Sequence, residues 1–100
     1  MVKKVEQVNN EQGFKIITMP GIACKTLFGR THCDLCRFSI GIEDSVYYES
    51  VIDQYYCKEC HNLYIMTAVR YSSEVKQEVI NFNKAKRKLE GAKWWNKDLI

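Results

Sequence analysis

Two cysteine pairs with identical spacing constrain this chain more than any other feature of its sequence. Cys33 and Cys36 form the first pair, Cys57 and Cys60 form the second, and twenty residues separate the two pairs. Two residues between cysteines let both sulfurs of a tight turn reach one metal ion, and two such pairs complete a tetrahedron. The pattern therefore predicts one structural Zn²⁺ bound by four thiolates.

The compartment expected for the chain favours metal ligands over disulfides. The sequence has no secretory signal pattern and no run of about 20 apolar residues that could span a membrane. We therefore expect a cytoplasmic protein, and reducing compartments disfavour structural disulfides. Iron of the rubredoxin kind stays open as an alternative metal, although rubredoxin-like turns usually have Gly where this chain has Arg37 and His61. The fifth cysteine, Cys24, is expected to be a small buried apolar side chain.

The length of the chain makes a metal ion important for its stability. A chain of 100 residues forms one domain with a small hydrophobic core, to which a structural metal adds folding free energy. Residues 1–12 are polar and show no strong period, so we expect a flexible N-terminal arm. Residues 13–100 are expected to form a single domain with a zinc-finger core at 24–71.

Hydrophobic patterning predicts strands in the first part of the chain and helices in the second. Short apolar segments rich in β-branched and aromatic residues predict strands at 13–19, 23–29, 46–52 and 55–56. Residues 58–71 contain no Gly or Pro and indicate a helix, and a second helix over 73–90 ends before Gly91. The fold class expected is α+β, with short β-hairpins followed by two C-terminal helices.

The segments THCDLC, VYYESVIDQYY and CKECHNLYIMTAV, which lie within residues 24–71, resemble the treble-clef group of zinc fingers. The phrase YYCKEC also resembles the end of a LIM-type half. The resemblance implies a small zinc-stabilised domain in which the first cysteine pair lies on a knuckle, a hairpin follows, and the second pair opens a helix. A helix N-terminus suits this pair because its free N–H groups and dipole stabilise thiolates.

One enzyme class has a similar cysteine arrangement, and the sequence can be checked for the catalytic residues that this class needs. The sequence CKECHN is similar to the closing part of HNH endonucleases that carry a structural zinc. Their chemistry needs a general-base His between the cysteine pairs, and residues 37–56 contain no His. We therefore expect no enzymatic activity and no small-molecule substrate. His32 and His61, which adjoin cysteine ligands, are expected to be polar neighbours of the site, with a role as replacement ligand or second-sphere donor left open.

The positive charge of the chain is concentrated at its C-terminal end. Residues 1–70 carry eight basic and eight acidic side chains, whereas residues 71–100 carry seven basic and four acidic ones. Basic side chains beside aromatic ones can neutralise phosphates and stack on bases, but they also suit a protein interface or a solvated helix face. The candidate binding residues of this segment are Lys84, Lys86, Arg87, Lys88, Lys93, Trp94 and Trp95.

Two functional hypotheses follow from these observations. The favoured one is a small zinc-binding adaptor or inhibitor that binds a larger protein machine through the hairpin and the C-terminal helix. By analogy alone, phage proteins that take over a host or block its defences are often built this way. The alternative is a nucleic-acid-binding zinc finger that uses residues 84–97, and it is weaker because no broad basic face is expected.

Overall fold

The computed structural model describes residues 5–95, so the first four residues of the expected arm and the last five of the expected domain lie outside it. Its elements form an α+β fold, which confirms the predicted class. The strands are β1 (Glu6–Val8), β2 (Ile16–Pro20), β3 (Ser45–Glu49) and β4 (Gln54–Tyr56); the helices are α1 (Gly21–Phe28), α2 (Lys58–Thr67) and α3 (Val75–Gly91), with a 3-10 turn at Ser72–Glu74 before α3. None of the helices within the described range is long and apolar enough to cross a membrane.

The strands form one antiparallel sheet in the order β1-β2-β3-β4, and its two faces are covered by different helices. On one face, side chains of β2, β3 and β4 join α1 and α3 in the hydrophobic core. On the other face, Tyr47 and Glu49 of β3 contact His61 of α2. The core residues are Val5, Ile17, Met19, Ala23, Cys24, Val46, Tyr48, Tyr55, Phe82, Ala85 and Leu89.

The predicted strand at 23–29 is wrong, because residues 21–28 form helix α1. Pro20 ends β2 and occupies the N-cap position, where its missing N–H costs nothing. Gly29 ends the helix in the left-handed conformation, with φ 68°, and its N–H donates to the Lys25 carbonyl. The small side chains of Ala23 and Cys24 let this helix pack closely on the sheet.

The other elements agree with the patterning, with two differences. Strands β2, β3 and β4 and the two C-terminal helices lie where they were predicted. β3 ends at Glu49 and not at residue 52 as predicted, because the chain turns between β3 and β4, where Asp53 has φ 54°. Residues 6–8, which belong to the expected arm, instead form edge strand β1 paired with β2. Backbone hydrogen bonds to a neighbouring strand stabilise this polar segment without an apolar pattern of its own.

Gly21→Ala tests how closely α1 approaches the loop that follows the first cysteine pair. A Cβ at position 21 would overlap the backbone oxygen of Gly41, which cannot move away cheaply because the Ile22 N–H donates to the Ile42 carbonyl nearby. We expect this substitution to lower the free energy of unfolding by about 2 to 3 kcal/mol.

The matched control is Gly91→Ala at the end of α3, where an added Cβ meets no atom within 4 Å. This variant should be neutral or more stable by about 0.5 to 1 kcal/mol, because Ala loses less backbone entropy in a helix. Chemical denaturation with saturating metal measures both values, and equal stability of the two variants would contradict the packing described.

Candidate metal centre

The first cysteine pair lies in a tight knuckle between α1 and β3. The Cys33 N–H donates to the Phe38 carbonyl over 2.9 Å, and the Arg37 N–H donates to the Cys33 carbonyl over 3.0 Å. The Leu35 N–H points at the Cys33 sulfur, with an N to Sγ distance of 3.4 Å. The backbone therefore turns around the two sulfurs and directs them to the same side.

The second cysteine pair lies at the N-terminus of α2. Cys57 occupies the N-cap position in an extended conformation, and Cys60 lies in the first helical turn. The His61 N–H donates to the Cys57 carbonyl over 2.9 Å, which closes this turn. The expectation that the second pair opens a helix is confirmed, and the free N–H groups and dipole of that helix end stabilise thiolates.

The fold brings all four predicted metal ligands together. The Sγ atoms of Cys33, Cys36, Cys57 and Cys60 all lie within 4.8 Å of one another, and the Cys36 and Cys57 sulfurs are 3.8 Å apart. Tetrahedral coordination with metal to sulfur bonds of about 2.3 Å requires sulfur separations of about 3.8 Å. A disulfide needs sulfurs about 2.05 Å apart, and all five cysteines are free thiols. The four residues therefore fit one metal ion.

Two thiols of the cluster have pKa values that shift in opposite directions. Burial opposes ionisation of Cys33, but backbone amides of Cys36, Cys57 and Leu35 outweigh it and lower the pKa of this thiol from 9.0 to about 7. Burial and hydrogen bonds shared with neighbouring sulfurs raise the pKa of Cys60. Without a cation, the cluster thus favours ionisation at Cys33 and disfavours it at Cys60. A divalent ion would stabilise all four thiolates together.

Asp34, inside the first cysteine pair, attaches the knuckle to the hairpin. Its backbone N–H donates to the Tyr55 carbonyl, and its Oδ2 accepts from the Tyr55 N–H, both over 2.8 Å. Since Tyr55 precedes Cys57 by two residues, this pair of hydrogen bonds sets the distance between the two cysteine pairs. Sequence reasoning missed Asp34, because an acidic residue in a turn has no distinguishing pattern.

The two histidines beside the cysteines contact neighbouring side chains and are not part of the metal-binding group. Within residues 5–95, that group consists of the four cysteines. His61 is buried, its Nδ1 lies 2.7 Å from Glu49 Oε2, and its ring stacks on Tyr47 with centroids 4.1 Å apart. Burial raises the pKa of Glu49, and the neighbouring His61 opposes that rise. The His32 ring nitrogens lie within hydrogen-bond distance of the Thr31 and Ser39 hydroxyls, across the base of the knuckle.

Cys24 is not part of the cluster. It is 1% exposed in the hydrophobic core, and burial raises the pKa of its thiol to about 12. The charge of Arg30 lowers this pKa, and the charge of Asp34 raises it. It is a neutral buried side chain, as the sequence predicted.

The C-terminal basic segment is divided among three environments. Lys84, Arg87 and Lys88 line a cleft with aromatic residues. The Lys86 Nζ lies 5.1 Å from the Trp95 ring centroid, and both tryptophans pack partly buried against the core. Lys93 adopts a left-handed turn after α3, with φ 65°. The residues expected to act as one binding segment are therefore only partly brought together, and residues 96 and 97 lie outside the described range.

Comparison with known proteins adds no relative. No model of a protein family, no curated protein and no solved structure matches the chain. The function of the chain is therefore inferred from its own residues and geometry.

Cys60→Ser tests the metal centre. The substitution removes one of four ligands, so metal content should fall from one ion per chain to well below one, with loss of cooperative unfolding. The control Cys24→Ala removes a thiol outside the cluster and should keep one ion per chain. Elemental analysis of both purified variants decides the matter, and full metal content in Cys60→Ser would contradict the site.

Arg37→Gly tests the geometry of the knuckle. Exposed Arg37 has φ 68°, a conformation that glycine adopts without strain. With metal saturating, this variant should be more stable by about 1 kcal/mol, because the left-handed conformation costs an L-residue about that much. Arg37→Ala keeps the strain and serves as the control. A thermal midpoint that rises equally in both variants, or in neither, would rule out this origin of the strain.

Proposed function

We propose that the metal is Zn²⁺ and that the chain is a treble-clef domain. Four thiolates in a tetrahedral arrangement are typical ligands of structural zinc. The order of elements around the site supports the fold: a knuckle with the first cysteine pair, the hairpin of β3 and β4, and helix α2 with the second pair.

The domain acts, in this proposal, as a non-catalytic adaptor or inhibitor that binds a partner protein beside the metal centre. The observation that carries the proposal is the exposure of large apolar side chains on the knuckle and on the loop that follows it: Leu35 is 50% exposed, Phe38 is 76% exposed and Ile42 is 54% exposed. Residues 63–71 also expose apolar side chains, but those at 35–42 adjoin a groove, and exposed apolar groups beside a groove are typical of interaction sites. We call these three residues the knuckle patch.

A groove of about 610 Å³ lies beside the knuckle patch and supplies a pocket for a partner side chain. Phe38, Ile40 and Tyr47 form apolar parts of its wall, and Cys36, Cys57 and Cys60 form the wall on the metal side. An apolar side chain from a partner can enter such a concave surface and exclude water, as interface anchors do.

The charge of the groove indicates the chemistry of the partner. Asp44 and Glu59 line it together with a single cation, Lys58. Four thiolates around a divalent ion add a net charge of minus two. The groove is therefore acidic, and the partner segment that complements it combines an apolar anchor with Lys or Arg side chains.

A binding role is supported further by the position of the histidine that follows the second cysteine pair. The segment between the cysteine pairs contains no His, and the His61 ring is held between Glu49 and Tyr47. A complete set of four protein ligands also leaves no open position for a substrate, as is usual for structural zinc.

Helix α3 offers less apolar surface than the sequence indicated. Its buried side chains Phe82, Ala85 and Leu89 belong to the core of the domain itself. The partner surface proposed here is therefore the knuckle patch and its groove, in place of the apolar side of the C-terminal helix.

Phe38→Ser tests the proposal, with Met66→Ser as the matched control. Met66 is 80% exposed on α2 and does not line the groove, so both variants remove one exposed apolar side chain. The tagged protein is used to recover partners from cells of the organism that encodes it. We expect to recover a protein whose yield falls about tenfold or more with Phe38→Ser, because this variant lacks one interface anchor. The yield of the same protein should be unchanged with Met66→Ser.

Both variants should retain one zinc ion per chain, which shows that the knuckle is intact. Equal recovery of every partner with the two variants would contradict the groove as the binding site. Recovery that disappears after nuclease treatment would contradict a protein partner.

A further inference from the structure

A second cleft lies away from the metal centre and shares no residue with the groove beside it. It has a volume of about 570 Å³ and lies between the end of α1, the β3-β4 hairpin and α3. This volume is within the range of about 300 to 1,000 Å³ that is typical of small-molecule sites. Its lining combines cationic, aromatic and carboxylate side chains, which the zinc-binding role does not use.

Three cations of α3 point to an anionic ligand. Lys84, Arg87 and Lys88 have the spacing of one helix face, are exposed, and all line the cleft. The ion pairs within residues 5–95 are formed by other side chains, so none of these three is neutralised in that way. Like charges at such spacing repel one another, and an anion bound between them relieves that repulsion.

The aromatic wall points to a planar group on the same ligand. The rings of Phe28 and Tyr55 lie 5.4 Å apart between centroids, and Phe28 is only partly buried. The Lys88 Nζ lies 5.4 Å from the Phe28 ring centroid. A planar base can replace the ammonium group on this ring, and the flexible Lys88 side chain can then reach a phosphate.

Asp53 supplies a hydrogen-bond acceptor at the hairpin side of the cleft. Its Oδ1 accepts from the Tyr48 hydroxyl over 2.6 Å, which fixes the carboxylate, while its Oδ2 has no hydrogen-bond partner within the described range. A sugar hydroxyl or the exocyclic amine of a base is a suitable donor. The lining thus holds three cations and one carboxylate, an arrangement that favours a ligand with both an anionic and a donor end.

We propose that this cleft binds a phosphorylated nucleoside, with the phosphate on Lys84, Arg87 and Lys88, the base on Phe28, and a sugar or base donor on Asp53. The nucleotide can be free or part of a single strand, since both carry the same groups. The site is independent of the protein-binding groove, and either one can be wrong without the other.

Phosphotyrosine, which also joins an aromatic ring to a phosphate, is the main competing ligand. Its donors lie on the flexible amino-acid backbone beyond the ring, whereas adenosine monophosphate carries hydroxyls and an amine directly on its sugar and base rings. A nucleotide therefore engages the exposed Asp53 carboxylate with less loss of side-chain freedom than phosphotyrosine does.

The test measures binding of small ligands to the metal-loaded chain by isothermal titration calorimetry. The probes are 5′-AMP, adenosine, inorganic phosphate, phosphotyrosine and a short single-stranded oligoadenylate. We expect 5′-AMP to bind at least about tenfold more tightly than adenosine, phosphate or phosphotyrosine. Binding of oligoadenylate more than about tenfold tighter than 5′-AMP assigns the site to a strand, and equal or weaker binding assigns it to the free nucleotide.

The variant arm compares two basic residues of α3. Arg87→Gln should weaken 5′-AMP binding about tenfold or more, because it removes a charged donor to the phosphate. Lys76→Gln is exposed on the same helix and does not line the cleft, so it should leave the affinity unchanged. Metal content and circular dichroism confirm that both variants fold.

Three results would overturn the proposal. They are absence of saturable 5′-AMP binding at millimolar concentration, inorganic phosphate or phosphotyrosine binding as tightly as 5′-AMP, and an equal loss of affinity in Arg87→Gln and Lys76→Gln. An equal loss would indicate nonspecific attraction to the overall positive charge of the helix.

Discussion

The cluster of four cysteine sulfurs, which can hold one metal ion, joins the start of helix α2 to the knuckle, and much of the structure around it depends on this attachment. α2 has His61 as its buried residue, and its Leu63 and Met66 side chains are exposed. The partly buried Tyr64 ring contacts Phe14 and Tyr56, but with most of its other apolar side chains exposed α2 receives only modest stabilisation from the hydrophobic effect. Structural zinc sites contribute on the order of 10 kcal/mol or more, which is comparable to the whole net stability of a small domain.

The two faces of the sheet are therefore stabilised by different means. On one face, α1 and α3 bury a continuous apolar core. On the other, the metal ligands, the Glu49 and His61 contact and the Tyr47 ring position α2. The proposed binding surfaces follow the same division, because the acidic groove adjoins the metal and the basic cleft adjoins α3. Opposite charge on the two surfaces allows two ligands of different chemistry on one small chain.

The sequence was most informative where one chemical requirement determines several residues. The spacing of the cysteines predicted the cluster of four sulfurs, since a tetrahedral site needs its donors at defined intervals, and the treble-clef resemblance predicted that the second pair opens α2. Helix α1 and strand β1 were missed because tertiary packing, rather than periodicity, stabilises short elements. The groove, the cleft and the role of Asp34 depend on contacts between distant segments, which one sequence does not reveal.

The most direct test of the central claim is amide hydrogen exchange of the chain with its metal and after removal of the metal by a chelator. We expect the amides of the knuckle and of α2, at residues 33–38 and 58–67, to lose their protection when the metal is removed. Full protection of these amides in a chain shown to be free of metal would contradict that claim.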